Sequence, residues 1–249
     1  MIIIINLNRF KEEEIIAKKG NIKLELQKKS LNIKENRIIN ITPLELNILF
    51  NLYDRYFFEN QFKNKDVKVD FSISKRMTKA AGKTLCTYLK DRTIQKIEIR
   101  MAIYFFKEYD YVSREKRVCG IETADAVDAF MIVFEHELVH VIEFLNFKSS
   151  NCRDGRFKEI AKMIFMHGES YHELPTSREI AKEKFNIQIG DKVTFKYKGS
   201  LQIGILYKIN KNAVVMVKDK NGQYSDRAGN RFTKWYVPLE LLVKTVEKI

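Results

Sequence analysis

Two histidines four residues apart, with a glutamate directly after the first, are the residues of this sequence best suited to chemistry. They are His136, Glu137 and His140, in the segment FEHELVH. On an α-helix, residues i and i+4 lie on one face, so both imidazoles can bind one metal ion. Zinc accepts imidazole nitrogen readily, and a carboxylate beside the first ligand can take a proton from a zinc-bound water. The segment therefore predicts a Zn²⁺ site that hydrolyses peptide bonds, with Glu137 as the base.

A long helix must carry this segment. Apolar residues recur at helical spacing from about Ala124 to Leu145, which predicts a helix with one broad buried face. Two histidines can also share such a helix by chance, without any metal. The apolar flanks and the confinement of all four histidines to residues 136–172 favour the metal site.

A catalytic zinc site needs a third protein ligand, and spacing alone does not select it. The downstream residues that carry carboxylate, thiolate or imidazole donors are Cys152, Asp154, Glu159, His167 and His172.

The sequence patterns that precede this helix differ in how clearly they indicate helices and strands. Residues 1–41 show no clear period and are interpreted as strands or an N-terminal appendage. Thr42-Pro43-Leu44-Glu45 has the residues of a capping box and predicts a helix start. Alternation from Val67 to Ile73 predicts a strand, and Gly82 interrupts the chain before another strand near Ile97.

The C-terminal quarter has a different pattern. From Ile187 onward, apolar and polar residues alternate in short runs separated by turns, which predicts a small barrel. Residues 186–249 contain ten Lys and two Arg against three Asp and two Glu. This segment, about a quarter of the chain, therefore carries more than half of its net positive charge.

Composition narrows the class of protein. The net charge is +13 and the pI about 9.5, which favours polyanionic partners such as nucleic acid. The three cysteines (Cys86, Cys119 and Cys152) form no CxxC pair, which argues against a disulfide scaffold and a zinc ribbon. No segment approaches the ~20 apolar residues that span a bilayer. We expect a cytoplasmic protein, nucleoid-associated if prokaryotic, with no membrane partner.

Seven segments, in order, make the sequence similar to the SprT-like family, the zincin metalloproteases related to Spartan. Together they cover roughly residues 42–249, and the last two are similar to a small barrel appended to some members. The segments are FSISKRMTKAAGKT (71–84), IQKIEIR (94–100), HELVH (136–140), GRFKEIAKMIF (155–165), HGESYHEL (167–174), residues 189–219 and WYVPLELL (235–242).

The resemblance implies an α+β fold. A zincin-like metalloprotease domain is expected at residues 42–182, followed by a small all-β SH3-like barrel at 186–249, with residues 1–41 as the appendage. It implies Zn²⁺ as cofactor, bound by His136 and His140. Glu137 is then the catalytic base.

The resemblance also implies partners. Eukaryotic members cleave proteins crosslinked to DNA, so DNA and DNA-bound proteins are the expected partners, in DNA–protein crosslink repair. Aromatic residues of the barrel fit either its core or contacts with bases: Tyr197, Tyr207, Tyr224, Trp235 and Tyr236. The lysines expected to contact nucleic acid are Lys196, Lys198, Lys208 and Lys211.

One position departs from the family pattern. The third ligand of the family is a histidine four residues before an aromatic residue, and counting back from Phe157 gives Arg153, which cannot bind zinc. Asp154, one residue away, is the first choice as replacement; Cys152, His167 and His172 are the alternatives.

The alternative function is a catalytically impaired SprT-like protein that acts as a DNA-binding or adaptor protein.

Overall fold

The chain folds as a mixed α+β protein, and a computed structural model describes residues 4–245. It forms two units: residues 4–110 with 114–174, and residues 111–113 with 175–245. The resemblance implies that residues 175–182 belong to the first domain. The structure groups them with the second unit because Ala181 packs into that unit's core.

The first unit contains helices and strands in the following order: α1 (Glu12–Lys29), β1 (Ile33–Lys34), β2 (Arg37–Ile38), α2 (Pro43–Phe57), α3 (Gln61–Asn64), β3 (Asp70–Ser74), β4 (Gly82–Tyr88), β5 (Ile94–Ala102), α4 (Tyr104–Lys107), β6 (Arg117–Val118), β7 (Ile121–Glu122), α5 (Ala126–Phe147) and α6 (Gly155–Phe165).

Helix α1 corrects the interpretation of residues 1–41. Glu12–Lys29 form a helix rather than strands, and the helix belongs to the first unit rather than to an appendage. Ile15, Ile22 and Leu26 share one face and are buried in the main hydrophobic core. Three acidic residues in the first turn and two lysines in the last turn suit the helix dipole.

Helices α2 and α5 begin where local sequence signals predict. The capping box of α2 is confirmed: the Thr42 side chain accepts from the backbone of Leu44, and Glu45 accepts from the Thr42 backbone. Asp125 caps α5 by accepting from the backbone N–H groups of the first turn. Helix α5 ends at Phe147, and the next residue, Lys148, adopts a left-handed conformation with φ 59°.

A three-stranded sheet lies against α5. Its order is β3-β5-β4, with β3 parallel and β4 antiparallel to the central β5. Within the described residues, β4 therefore has a strand on one side only, and it packs against α5. Gly82, expected as a break before a strand, is instead the first residue of β4.

The described part of the second unit contains α7 (Ser177–Phe185), β8 (Lys192–Tyr197), β9 (Ser200–Ile209), β10 (Ala213–Lys218), β11 (Tyr224–Ser225), β12 (Arg231–Val237), a short 3-10 helix (Leu239–Leu241) and β13 (Val243–Lys244). The six strands form one antiparallel sheet in the order β11-β12-β10-β9-β8-β13. The two outer strands, β11 and β13, are not paired with each other in the described residues, so no closed barrel is formed.

Among residues 4–245, no helix combines the length and the apolar character that crossing a membrane requires.

Candidate metal centre

The imidazoles of His136 and His140 lie one turn apart on α5, as their spacing predicts. Their ring centroids are 5.0 Å apart. Phe157, buried on α6, packs against both rings, with centroids 4.8 Å from His136 and 4.5 Å from His140. The packing of α6 on α5 therefore holds both rings in place.

A chain of hydrogen bonds sets the tautomer of His140. Its Nδ1 lies 2.6 Å from Ser150 Oγ, and that hydroxyl donates to Glu143 Oε2 at 2.6 Å. The buried Glu143 carboxylate also accepts from Arg156 Nε at 2.6 Å. Because the Ser150 proton is given to Glu143, Ser150 must accept from His140 Nδ1–H. Nε2 of His140 is then unprotonated and available to a metal.

His136 has a weaker outer partner. Its Nδ1 lies 3.7 Å from the Sγ of Cys119, a buried residue between β6 and β7. Burial raises the pKa of the Cys119 thiol, so the group stays protonated. Burial, followed by the neighbouring His140, lowers the pKa of His136 to about 3, and burial lowers that of His140 to about 4. Both imidazoles are therefore neutral at pH 7, the form that binds metal.

Cys152 is the residue that the structure brings to both histidines. Ligand atoms of His136, His140 and Cys152 all lie within 4.8 Å of one another. Cys152 sits in the short loop between α5 and α6 and is half-buried. Two imidazole nitrogens and one thiolate form a donor set that zinc binds readily, as in catalytic Cys-and-His sites. The residues present thus fit a zinc ion with one position left open.

The other candidates for the third ligand lie elsewhere. Asp154, the first choice from the sequence, is exposed. It occupies the N-cap position of α6 without a capping hydrogen bond from its side chain, which instead accepts from the Asn151 side chain at 2.9 Å. It belongs to neither of the metal-binding groups found in the described residues. Arg153 is exposed. His172 lines the cavity but packs edge-on against Phe105, with centroids 5.0 Å apart.

His167 has a structural role behind the site. Its Nε2 lies 2.8 Å from Oε2 of the buried Glu135, which also accepts from Lys19 Nζ at 2.8 Å and, through Oε1, from the Tyr53 hydroxyl at 2.6 Å. The Nδ1 of His167 is buried and has no hydrogen-bond partner. A second group of possible ligands, Cys119, His136 and His167, shares His136 with the first.

The side chain of Glu137 lies between its own helix, α5, and strand β4. The Thr84 hydroxyl lies 2.8 Å from Glu137 Oε2 and 3.0 Å from the Glu137 backbone oxygen. Burial raises the pKa of Glu137 to about 7, against the hydrogen bonds from Thr84, which lower it. A carboxylate with a pKa near neutrality can both accept and return a proton.

These groups face one cavity of about 430 Å³. Its walls include Gly82 and Thr84 from β4, the ligand set from α5 and the loop that follows, and Tyr171 and His172. The segment with Tyr171 and His172 is held against β6 by a bridge between Val118 and His172. The HGESYHEL segment therefore forms a wall of the cavity.

The lysines expected to contact nucleic acid are all exposed and all lie in the second unit. Lys196 is on β8 and Lys208 on β9. Lys198 and Lys211 lie in the turns that connect β8 to β9 and β9 to β10.

The sequence analysis does not identify four residues as part of the site: Gly82, Thr84, Glu143 and Ser150. Glu143 follows His140 by three residues on the same helix, which is the one signal that could have indicated a partner for that histidine.

Comparison of the chain with protein-family models, with curated proteins and with solved structures finds no match.

Proposed function

We propose that this protein is a zinc-dependent metallopeptidase that acts on proteins bound or crosslinked to DNA, with Glu137 as its general base. The observation that carries the proposal is the convergence of His136, His140 and Cys152 beside Glu137 in one cavity. The resemblance of the sequence to the SprT-like family agrees with this chemistry.

Each residue has a defined task in the proposed reaction. His136, His140 and Cys152 would hold the metal, and the bond from His140 to Ser150 keeps Nε2 of His140 free of its proton. Zinc, when bound, supplies a Lewis acid that lowers the pKa of water and polarises a carbonyl. Glu137 removes the proton from the attacking water and passes it to the leaving amine.

The arrangement of the elements supports a zincin-like interpretation of the first unit. The helix with both histidines packs against β4, a strand with a free edge, and the catalytic carboxylate lies between the two. We interpret the second unit as an SH3-like module whose sheet remains open.

Charge supports DNA-bound proteins as the substrate class. A net charge of +13 attracts a polyanion and would raise the local concentration of proteins attached to it. The metal site itself does not select a peptide sequence, so selection through the nucleic acid is the simplest arrangement.

Metal content and cleavage test the proposal together. We expect about one zinc per chain in protein purified without added metal, as a three-ligand site requires. Cleavage of a DNA-bound protein should stop on chelation and in Glu137→Gln, and that variant should keep its zinc. Glu159→Gln, which changes an exposed carboxylate on α6, is the matched control.

The competing function is a DNA-binding or adaptor protein without catalysis, favoured by Arg153 at the position of the family's ligand. It predicts essentially no bound metal, and DNA affinity unchanged by His136→Ala. Cleavage by Glu137→Gln at the rate of the wild type would remove the metallopeptidase proposal.

A further inference from the structure

The sheet of the second unit has one covered and one open face. Alternate residues such as Val193, Leu206 and Val215 point into the core that also contains Ala181 of α7. The residues between them form the opposite surface, here called the outer face. It consists of Lys192, Thr194 and Lys196 of β8, Leu201, Ile203, Ile205, Tyr207 and Lys208 of β9, Val214, Met216 and Lys218 of β10, Tyr224 of β11, and Phe232, Lys234 and Tyr236 of β12.

Cross-strand pairing places lysines and aromatic rings side by side on the outer face. Met216 pairs with Ile205 on one side and with Lys234 on the other. In the next row, Val214, which is itself buried, lies between Lys208 and Tyr236. The Lys234 ammonium also lies over the ring of Tyr224, 4.0 Å from its centroid.

Charge on this sheet has one sign. The six strands contain no Asp or Glu. Their basic residues are Lys192, Lys196, Lys208, Lys218, Arg231, Lys234 and Lys244. Five of the seven are on the outer face, so the surface attracts polyanions and repels other basic surfaces.

Three tyrosines are unusually exposed on the same surface. The exposed fractions are 63% for Tyr207, 42% for Tyr224 and 67% for Tyr236. By contrast, Trp235 points to the other side, where it packs against Phe195 and Tyr197. Aromatic residues thus lie on both faces of the sheet, and the three tyrosines of the outer face are not part of the hydrophobic core.

We propose that the outer face binds single-stranded nucleic acid, with Tyr207 and Tyr236 stacking on unpaired bases and Lys234 binding phosphate. Accessible aromatic rings between lysines are the combination that sequence-tolerant single-strand binding uses. In a duplex the bases already stack on one another and their faces are closed to the tyrosines. This surface would supply the contact with nucleic acid that the proposed function requires, and the inference rests on that proposed function.

Binding of an oligothymidine of about twenty nucleotides to the full-length protein tests the proposal. Fluorescence anisotropy at low salt should show binding that weakens steeply as salt rises. Tyr207→Ala and Tyr236→Ala should each weaken it by roughly five-fold or more, and Tyr→Phe at either position should keep most of the affinity. Lys234→Gln should make the slope of log affinity against log salt shallower by about 0.7.

Matched variants separate this surface from its alternatives. Lys182→Gln removes a charge from α7, on the covered side of the sheet, and should leave binding unchanged. Binding that survives both Tyr→Ala changes, or a duplex that binds as tightly as the single strand, would overturn the proposal. A third result would also overturn it: the protein binds no oligonucleotide but self-associates, and Ile203→Lys abolishes the self-association. Because the assay measures binding alone, it can fail in an active protease and succeed in an inactive one.

Discussion

Gly82 lies directly against the carboxylate of Glu137. A Cβ atom at Gly82 would be 2.5 Å from Oε1, 2.7 Å from Cγ and 2.9 Å from Cδ of Glu137. The backbone of Gly82 does not need a left-handed conformation, so the absence of a side chain is what this position requires. Strand β4 and helix α5 can approach each other this closely only because residue 82 is a glycine.

Gly82→Ala should therefore displace Glu137 and abolish most peptide hydrolysis, while zinc content stays as in the wild type. The new methyl group contacts three atoms of the glutamate rather than only its flexible end. Gly20→Ala is the control, because a Cβ there meets nothing within 4 Å. Cleavage rate and zinc content, measured on the same preparations, check this; full activity in Gly82→Ala would contradict the position assigned to Glu137.

The identity of the third ligand gives a second prediction. Cys152→Ala should lose most of the bound zinc, because two imidazoles alone bind it weakly. Asp154→Ala should retain zinc, since that carboxylate accepts from the Asn151 side chain and lies outside the ligand group. Cys86→Ala, a change of another half-buried cysteine, is the matched control. Elemental analysis decides, and zinc lost in Asp154→Ala but retained in Cys152→Ala would reverse the assignment.

Stability of the metal-free protein should depend on Glu137 and on pH. The pKa of Glu137 is raised to about 7 in the folded chain, above the value near 4.5 that an unfolded chain has. The unfolded state therefore loses its proton first, and the free energy of unfolding falls as pH rises from about 4.5 to about 7. The full effect is on the order of 3 kcal/mol.

Glu137→Gln cannot ionise and should not show this decline. Urea unfolding with a chelator present measures the free energy of unfolding of both proteins. At low pH, the ionisation of Glu137 should contribute little to the difference between the variant and the wild type. The variant should become the more stable protein by a few kcal/mol at pH 8. A difference between them that stays constant with pH would mean that Glu137 is not desolvated as described.

The bond from Ser150 to His140 should affect metal affinity. Ser150→Ala removes the acceptor for His140 Nδ1–H and leaves the buried Glu143 with one donor fewer. Loss of such an outer partner typically costs 10- to 100-fold in metal affinity. Competition with a chromophoric chelator measures this change, with Ser200→Ala on β9 as control. Equal affinities would show that the tautomer of His140 does not depend on Ser150.

The sequence predicted the elements with strong local signals and missed those without them. Helix α5 has a broad apolar stripe and α2 has a capping box, and both were expected close to where they form. Strand β4 lies at a sheet edge with mostly half-buried residues, so it lacks the alternation that marks a strand. Its glycine was interpreted as a break for the same reason.

The third ligand could not be predicted by counting back from Phe157. The count assumes one path for the loop between α5 and α6, whereas here Lys148 is left-handed and Asn151 donates to Glu143 at 3.3 Å. That path brings Cys152 to the histidines and leaves Arg153 exposed. Tertiary hydrogen bonds of this kind determine which loop residue reaches the histidines. They produce no periodic pattern in the sequence from which a shift of one residue could be predicted.

Helix α1 determines how far the chain can be shortened. Lys19 bonds both to Glu135, the residue directly before His136, and to the carbonyl oxygen of Phe165. Burial acts to raise the pKa of Glu135, and Lys19 and His167 together keep it below its usual value. A fragment that starts at Thr42 would bury this carboxylate without its lysine, at a cost of roughly 3–5 kcal/mol. The smallest fragment that preserves the candidate metal centre must therefore start upstream of Glu12, although none of residues 4–41 lines the cavity.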